Sequence, residues 1–335
     1  MTAGRATNII YYEEQRTANL AAYLNETFGE SEITLPDLVQ TATNVQDAKA
    51  NGLPFETTTA IKDIYQNKII IPGGFKIASD SGNTVQQGII IEDSNNNQFV
   101  WIPVGMYNTN AGNKTNNLSR RTFTADGASE VEGDSIIYGR KGYDYYGEGF
   151  SNSTVAYNTI GTFKTNAIYN GGYYIGRYEQ GINNVCKADV EICSNITRDD
   201  AKSQADSMYI NNSFIRSELI SSYAWDTAVN FICQNNEYEL AVSTSSSYGN
   251  MGTNNSTLAG EYETDKYCNI CDMVGNYAEW TTGYNHNSYG DDFYNCVYRG
   301  GMYDVSTSTM SQRSSNEGEA EIDIGFRVQL VIKNH

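Results

Sequence analysis

Stretches dominated by Tyr, Asn, Ser and Gly separate the short apolar runs of this 335-residue chain, as between Tyr143 and Tyr157. The chain has 26 tyrosines but only three tryptophans and two histidines. This mixture is typical of loop-rich β structure. It is also typical of antibody-like binding loops, where Tyr supplies contact area and Ser, Gly and Asn supply adaptable hydrogen bonds. Because 39% of the residues are hydrophobic, the chain can still bury a core.

The charge balance disfavours several classes of partner. The 22 basic and 40 acidic side chains give a net charge of −18. A duplex nucleic-acid binder needs a dense basic face, so we expect no nucleic-acid partner. No stretch approaches the roughly 20 apolar residues of a membrane span, and the N-terminus lacks the pattern of a signal peptide. We therefore expect synthesis in the cytoplasm and no membrane insertion.

The cysteines predict thiols rather than a metal site. Cys268 and Cys271 form a C-x-x-C pair, which is half of a zinc site. The spacing of Cys186 and Cys193 does not supply the usual other half. Without an export signal, free thiols are expected in place of disulfides.

The N-terminal part differs in pattern from the rest of the chain. Residues 8–28 and 38–50 predict helices, and residues 58–66 predict a third, short one. This pattern predicts a helical attachment or oligomerisation segment over residues 1–68. One α+β domain is predicted over residues 69–335.

Within that domain, strand and helix signals alternate around a polar insertion at about 107–160. Asp93–Asn97 is a turn cluster between two β runs and predicts a hairpin. Acidic residues follow Thr197, as expected for a helix start. The other elements predicted are strands at 69–71, 167–178 and 325–332, and a helix at 222–234.

Several short motifs follow one another here in a characteristic order. They are Phe99–Gly105, Gly172–Glu179, Cys271–Trp280, Arg299–Tyr303 and Gly325–Val328. In this order they resemble the formylglycine-generating-enzyme-like branch of the C-type lectin fold, also called the sulfatase-modifying factor family. The resemblance covers residues 95–335 and implies a C-type-lectin-like α+β domain with two helices and irregular loops. The motif residues define a scaffold and do not by themselves indicate chemistry.

The resemblance implies a test for enzyme activity. The family's oxidases use two cysteines after the Arg-Gly-Gly motif to bind copper and activate oxygen. Here the segment Gly301–Arg313 contains no cysteine, and Cys296 precedes the motif. A soft copper site needs thiolates, so we expect no catalytic residues and no enzyme. His286 and His335 cannot supply the histidine-rich iron site of related sulfoxide synthases. A formylglycine-generating-type copper oxidase with displaced cysteines remains the alternative.

A non-catalytic protein of this kind requires no cofactor, although the resemblance allows bound calcium. The side chain of Asp272 and the carbonyls of Met273, Gly275 and Tyr277 would bind the ion through oxygen. The alternative for Asp272 is a carboxylate that caps a turn. Asn250 and Asp265 form a looser candidate for a second site.

The same fold occurs in variable proteins of diversity-generating retroelements and in phage receptor-binding proteins, which display variable side chains. Every residue from Tyr284 to Cys296 is reachable by the adenine-directed diversification of those retroelements. Loops between scaffold motifs are where binding residues are expected. The predicted ligand-binding residues are Tyr284, Asn285, His286, Asn287, Tyr289, Asp291, Asp292, Tyr294, Tyr303, Asp304, Ser306 and Arg313.

The resulting hypothesis is a non-catalytic ligand-binding protein. It would be a phage or prophage receptor-binding component of a tail tip or fibre, or a retroelement-diversified variable protein. The expected partner is a host-cell surface protein or glycan. We also expect a homo-oligomer, with a trimer as the working guess, and attachment to virion or tail proteins through the N-terminus. Its location would then be a virion or a cell-surface assembly. A structural virion subunit is the third hypothesis.

Overall fold

A computed structural model describes residues 42–131, 137–138, 144–148, 154–287 and 296–333. Residues 41–335 form one compact unit. The predicted helix at 8–28 lies outside the described residues. No helix in the described ranges is both long and apolar enough to cross a membrane.

The architecture is mixed α+β, with few helices and several small sheets. In the described part of the chain, the helices are α1 (Val45–Asn51), α2 (Thr154–Asn170), α3 (Arg198–Ser207), α4 (Ser222–Asn235) and α5 (Glu239–Val242). Short 3-10 turns occur at Val85–Gln87 and Glu263–Asp265. The strands are β1 (Thr59–Lys62), β2 (Lys68–Ile71), β3 (Lys76–Ile77), β4 (Ile90–Glu92), β5 (Gln98–Pro103), β6 (Gly105–Thr109), β7 (Gly112–Asn116), β8 (Arg120–Thr124), β9 (Gly127–Val131), β10 (Ile137–Tyr138), β11 (Asp144–Glu148), β12 (Gly172–Gly176), β13 (Ile215–Leu219), β14 (Ala278–Asn287), β15 (Cys296–Arg299), β16 (Arg313–Asn316), β17 (Ile324–Phe326) and β18 (Val328–Ile332).

Two six-stranded sheets organise the domain. The first, here the core sheet, has the order β13-β18-β12-β5-β4-β3, and all its pairings are antiparallel. The second, here the β14 sheet, has the order β10-β11-β14-β15-β16, with β17 parallel to the start of β14. Every residue of β12 and β18 is buried, including the polar Gln329 of β18.

Helix α4 contacts both sheets and the hairpin strands β7 and β8. Ser221 caps it, because the Ser221 hydroxyl accepts a hydrogen bond from the backbone of Ala224. All residues from Ser222 to Cys233 are buried, so even the polar side chains of this helix face protein. Asp226 is one of these buried polar residues, and its ion pairs with arginines are described below.

Two hairpin turns share one hydrogen-bond pattern. In the turn between β1 and β2, Asp63 Oδ1 accepts hydrogen bonds from the backbone N–H groups of Tyr65 and Asn67, each at 2.9 Å. In the turn between β4 and β5, Asp93 Oδ1 accepts equivalent bonds from residues two and four positions later, at 2.9 and 2.8 Å. These are Asx turns, which replace water as the partner of the turn N–H groups.

Most strong local signals are confirmed. The Asp93–Asn97 turn joins β4 to β5, Thr197 caps α3, and α4 lies where a helix is predicted. The predicted closing strand is interrupted at Arg327, which separates β17 from β18. The described part of the helix predicted at 38–50 is α1, which ends at the left-handed Gly52.

Four sequence predictions are corrected. Residues 58–66 form β1 and its turn, not a helix, because Ile61 is buried between exposed neighbours and alternates like a strand. The boundary predicted after residue 68 fails, because β1 pairs with β2 across it. The described residues of 107–160 form the hairpins β6–β7 and β8–β9, strands β10 and β11 and the start of α2, not irregular loops. Residues 167–170, predicted as strand, belong to α2.

Candidate functional site

A buried acidic cluster lies where three motifs meet. It consists of Glu179, Asp265, Asp272 and Glu279 around Arg327. The guanidinium of Arg327 donates three hydrogen bonds to Glu279, at 2.6 to 3.1 Å, and both side chains are fully buried. Burial raises the pKa of Glu279 to about 7, and Arg327 opposes this rise. A paired buried charge is far less costly than an isolated one, and this pair links Glu279 of β14 to Arg327, which lies between β17 and β18.

Glu179 holds the Gly275-Asn276 turn. Its carboxylate accepts a hydrogen bond from the side-chain amide of Asn276 at 2.5 Å and one from the backbone N–H of Tyr277 at 2.9 Å. Burial and the nearby carboxylates raise the pKa of Glu179 well above its usual range. These contacts give the motif residues the structural role expected from the sequence.

A second buried ion-pair group centres on Asp226 of α4. Arg299 Nη2 donates to Asp226 Oδ1 at 2.6 Å, and Arg313 Nη2 donates to Asp226 Oδ2. The backbone N–H of Arg121 donates to the same Oδ2 at 2.8 Å. Arg313, one of the predicted ligand-binding residues, directs its guanidinium into the fold, where it is largely buried against Asp226. Two guanidinium groups thus share one buried carboxylate.

The segment after Arg299-Gly300-Gly301 forms a closed turn. The Ser308 hydroxyl bonds to the backbone N–H and the carbonyl of Met302, at 3.0 and 3.1 Å. The indole of Trp225 donates to the carbonyl of Met310 at 3.0 Å. A Cβ on Gly301 would lie 2.3 Å from Ser308, so the turn depends on glycine at that position. Internal hydrogen bonds thus hold the segment from Gly301 to Met310.

The six cysteines are free thiols with structural surroundings. Burial raises the pKa of Cys186 to about 11 and those of Cys233, Cys268 and Cys271 each to about 12. At neutral pH these sulfurs therefore stay protonated and are poor nucleophiles and poor soft-metal ligands. Cys296 lies within 3.2 Å of the Arg198 guanidinium, before the Arg-Gly-Gly motif.

The predicted ligand-binding residues divide between the two ends of β14. Tyr303 lies at the start of the strand, where its ring packs edge-on against Tyr277 with a centroid separation of 5.8 Å. Asp304 and Ser306 are exposed beside it. Tyr284 lies six residues further along β14, about 20 Å away at about 3.3 Å per residue. The two groups therefore lie near opposite ends of β14.

A different set of neighbours surrounds the far end of β14. Strand β11 pairs antiparallel with residues 283–287, so that Tyr145 lies opposite His286 and Tyr146 opposite Asn285. Tyr138 of β10 lies opposite Tyr145 in turn. Two Tyr-rich segments that are about 140 residues apart in sequence thus become adjacent strands. The composition of both segments is visible in the sequence, but their pairing is not. Tyr289, Asp291, Asp292 and Tyr294 lie outside the described residues, as does His335.

The predicted calcium site contains suitable oxygen ligands but not a complete coordination shell. Asp272 Oδ2 accepts a hydrogen bond from the Gly260 N–H at 2.7 Å, as a turn-capping carboxylate would. Asp272 Oδ1 and both carboxylate oxygens of Asp265 are buried without a hydrogen-bond donor among the described residues. These oxygens fit a hard cation, for which carbonyl groups such as those of Met273, Gly275 and Tyr277 would have to complete the shell. No cluster of three or more acidic, His or Cys side chains suited to a metal occurs in the described ranges.

The sequence suggested that Asn250 and Asp265 form a second calcium site. In the structure the side chain of Asn250 is engaged elsewhere. Its side-chain carbonyl accepts a hydrogen bond from the hydroxyl of Thr253 at 2.7 Å, within its own loop. Asp265 instead faces Asp272. Burial and the charge of Asp272 raise the pKa of Asp265 to about 9.

Comparison with known proteins supports part of the resemblance. The family model described as sulfatase-modifying factor enzyme 1-like domain matches residues 216–332. A search of curated proteins found no match. A solved structure titled "Crystal Structure of CarF" is 14% identical, covers 49% of this chain and 87% of its own, and superposes with a TM-score of 0.37. Residues 216–332, which contain the Asn276 turn, the Arg299 motif and Arg327, therefore form a domain similar to sulfatase-modifying factor enzyme 1.

Proposed function

We propose that this chain is a non-catalytic ligand-binding protein whose recognition surface is the far end of the β14 sheet, here the tyrosine edge (residues 137–138, 144–148 and 284–287). The observation that carries the proposal is the pairing of β11 with β14. It places Tyr, Asn and His positions from two distant segments side by side in one sheet. Tyrosine with small polar neighbours gives large contact area at low entropic cost.

The chemistry of the other motifs supports a binding role over catalysis. The segment that would carry a copper-binding cysteine pair is a closed turn held by Ser308 and Trp225. The four most buried thiols have pKa values of about 11 or 12, so thiolate ligands are disfavoured there. The carboxylates of the buried Arg327–Glu279 and Asp226–Arg299 pairs are engaged with their arginines inside the fold and do not face solvent.

We also propose a scaffold type, a partner and an assembly for this chain. The scaffold would be C-type-lectin-like, and the partner a host-cell surface protein or glycan. The chain would act as a phage or prophage receptor-binding component, or as a retroelement-diversified variable protein, and would assemble as a homo-oligomer. Repetition of one site in an oligomer raises avidity without any new contact. Calcium bound at Asp265 and Asp272 would be structural in this scheme.

Cell binding by variants tests the recognition surface. Fluorescently labelled full-length chain is incubated with a panel of bacterial cells and compared with two variants. One replaces residues 284–295 with a Gly/Ser linker, and the other carries Tyr145→Ser and Tyr146→Ser in β11. Tyr303→Ser, about 20 Å away at the other end of β14, is the matched control. Circular dichroism establishes that each variant is folded.

We expect both tyrosine-edge variants to lose binding and Tyr303→Ser to retain it. Loss only in Tyr303→Ser would move the site to the other end of β14 and overturn the proposal. Absence of binding by the unaltered chain to every cell type would favour a structural virion subunit. Oxygen consumption with copper and a cysteine-containing peptide tests the oxidase alternative, and turnover there would refute the non-catalytic assignment.

A further inference from the structure

A polar cleft lies outside every site discussed above. Its volume is about 510 Å³, within the range of about 300–1,000 Å³ that small-molecule sites occupy. Its walls come from the β1–β2 turn, the 3-10 turn at Val85–Gln87, the β6–β7 turn, the end of α4 and residues 266–269. Three of these five walls precede residue 111, outside the region that matches the family model. The cleft shares no residue with the tyrosine edge.

The cleft walls are fixed by buried hydrogen bonds. Asp63, which organises the β1–β2 turn, also accepts a hydrogen bond from the backbone of Val85 at 2.8 Å and so ties two walls together. The side chain of Asn269 donates to the carbonyl of Gly88 at 2.8 Å. A Cβ on Gly88 would lie 1.9 Å from the carbonyl oxygen of Cys268, so these two walls are in direct backbone contact. A site held in this way needs little ordering when a ligand binds.

Apart from Lys266, the polar groups that line the cleft are neutral hydrogen-bonding groups. The amide nitrogens of Asn236 and Asn269 are engaged with protein carbonyls, which orients their own carbonyl oxygens. Neither of these oxygens receives a hydrogen bond from the described residues. The amide of Gln86 and the hydroxyl of Tyr65 likewise have no hydrogen-bond partner within those residues. The cleft therefore presents fixed acceptors beside groups that can both donate and accept.

The lining disfavours ionic and reactive ligands. No Asp or Glu lines the cleft, and Lys266 is its one cationic side chain within the described residues. The Cys268 thiol has a pKa of about 12, because burial disfavours the thiolate. At neutral pH this thiol is therefore protonated and a poor nucleophile. The net charge of −18 further disfavours an anionic ligand.

The geometry points to a binding site for a small neutral saccharide in this cleft. A sugar presents hydroxyl groups that both donate and accept, which matches oriented amides and a phenol. Its C–H faces need apolar contact, which the ring of Tyr65 and the half-exposed side chain of Ile64 provide. A purely apolar ligand would leave the amides without partners, and this carries a desolvation cost.

The β4–β5 turn supplies a matched control. It repeats the hydrogen bonds of the β1–β2 turn, and Asn95 occupies there the position that Tyr65 occupies here. Asn95 is exposed and does not line the cleft. A change at Asn95 therefore perturbs an equivalent turn without altering the proposed site.

The test uses the full chain and a panel of neutral sugars: glucose, galactose, mannose, N-acetylglucosamine and their disaccharides. Calorimetric titration measures binding to the unaltered chain, to the Tyr65→Phe, Gln86→Ala double variant and to Asn95→Ala. We expect at least one sugar to bind, the double variant to weaken it about tenfold or more, and Asn95→Ala to change it by less than about twofold. Glucuronic acid should bind more weakly than glucose.

Two results would overturn the inference. One is the absence of binding to any neutral sugar at millimolar concentration. The other is binding that the double variant retains. The 284–295 linker variant separates the two proposals. Sugar binding that persists in this variant belongs to the cleft, whereas sugar binding that disappears with it belongs to the tyrosine edge.

Discussion

Replacement of Asp226 by Asn removes the charge that two arginines share inside the domain. The Asp226 carboxylate is fully buried and accepts hydrogen bonds from Arg299, Arg313 and the Arg121 backbone. Asparagine has nearly the same shape but leaves two guanidinium groups without a counter-charge. Breaking a buried pair in this way costs about 3–5 kcal/mol. The free energy of unfolding of a domain is about 5–15 kcal/mol, so the loss is a large part of it.

Urea denaturation measures this loss. Fluorescence reports it well, because the indole of Trp225 adjoins Asp226 in α4 and lies 5.5 Å from the Arg299 guanidinium. The melting temperature should also fall by roughly 10 °C. Glu317→Gln, at an exposed position, is the control and should change stability by less than about 0.5 kcal/mol. A loss below about 1 kcal/mol for Asp226→Asn would show that the arginines are solvated or paired elsewhere, and would refute the reasoning.

Three other outcomes are expected. In calcium-free buffer, stability should fall as the pH rises from about 4 to about 9, because folded Asp265 (pKa about 9) keeps a proton that the unfolded chain loses near 3.8. The raised pKa values of Glu179 and Glu279 act in the same direction, so denaturant titrations at several pH values should show a smaller slope in Asp265→Asn than in the unaltered chain. Equal slopes would contradict the assignment. Millimolar calcium should raise the melting temperature of the unaltered chain but not of Asp265→Asn, and an equal rise in both would place the ion elsewhere. Gly88→Ala should cost about 3 kcal/mol or more by calorimetry, since its Cβ would meet Cys268. Gly74→Ala, at a similar φ in open space, should cost only about 1–2 kcal/mol, and equal costs would disprove the contact.

Local chemistry made much of the secondary structure predictable. Thr197 caps α3 through the backbone N–H of Asp200, and apolar spacing defined α4. The Asp93–Asn97 turn is likewise encoded within five residues. The equivalent turn at Asp63 was missed, because helix-compatible residues around it obscured the strand alternation of β1. In each case the interactions that determine the element join residues close together in the sequence, so a local sequence pattern can predict it.

Long-range pairing decided the candidate sites. No local pattern specifies that Arg313 meets Asp226, or that Asp265 faces Asp272 and not Asn250. The pairing of β11 with β14 closes a loop of about 140 residues. Its register depends on which faces the rest of the fold buries, not on the strands themselves. The sequence by itself therefore determined the motifs, the composition of the tyrosine-rich segments and most of the local elements. Tertiary structure decided which of those segments meet, because burial and hydrogen-bond satisfaction are properties of the assembled core.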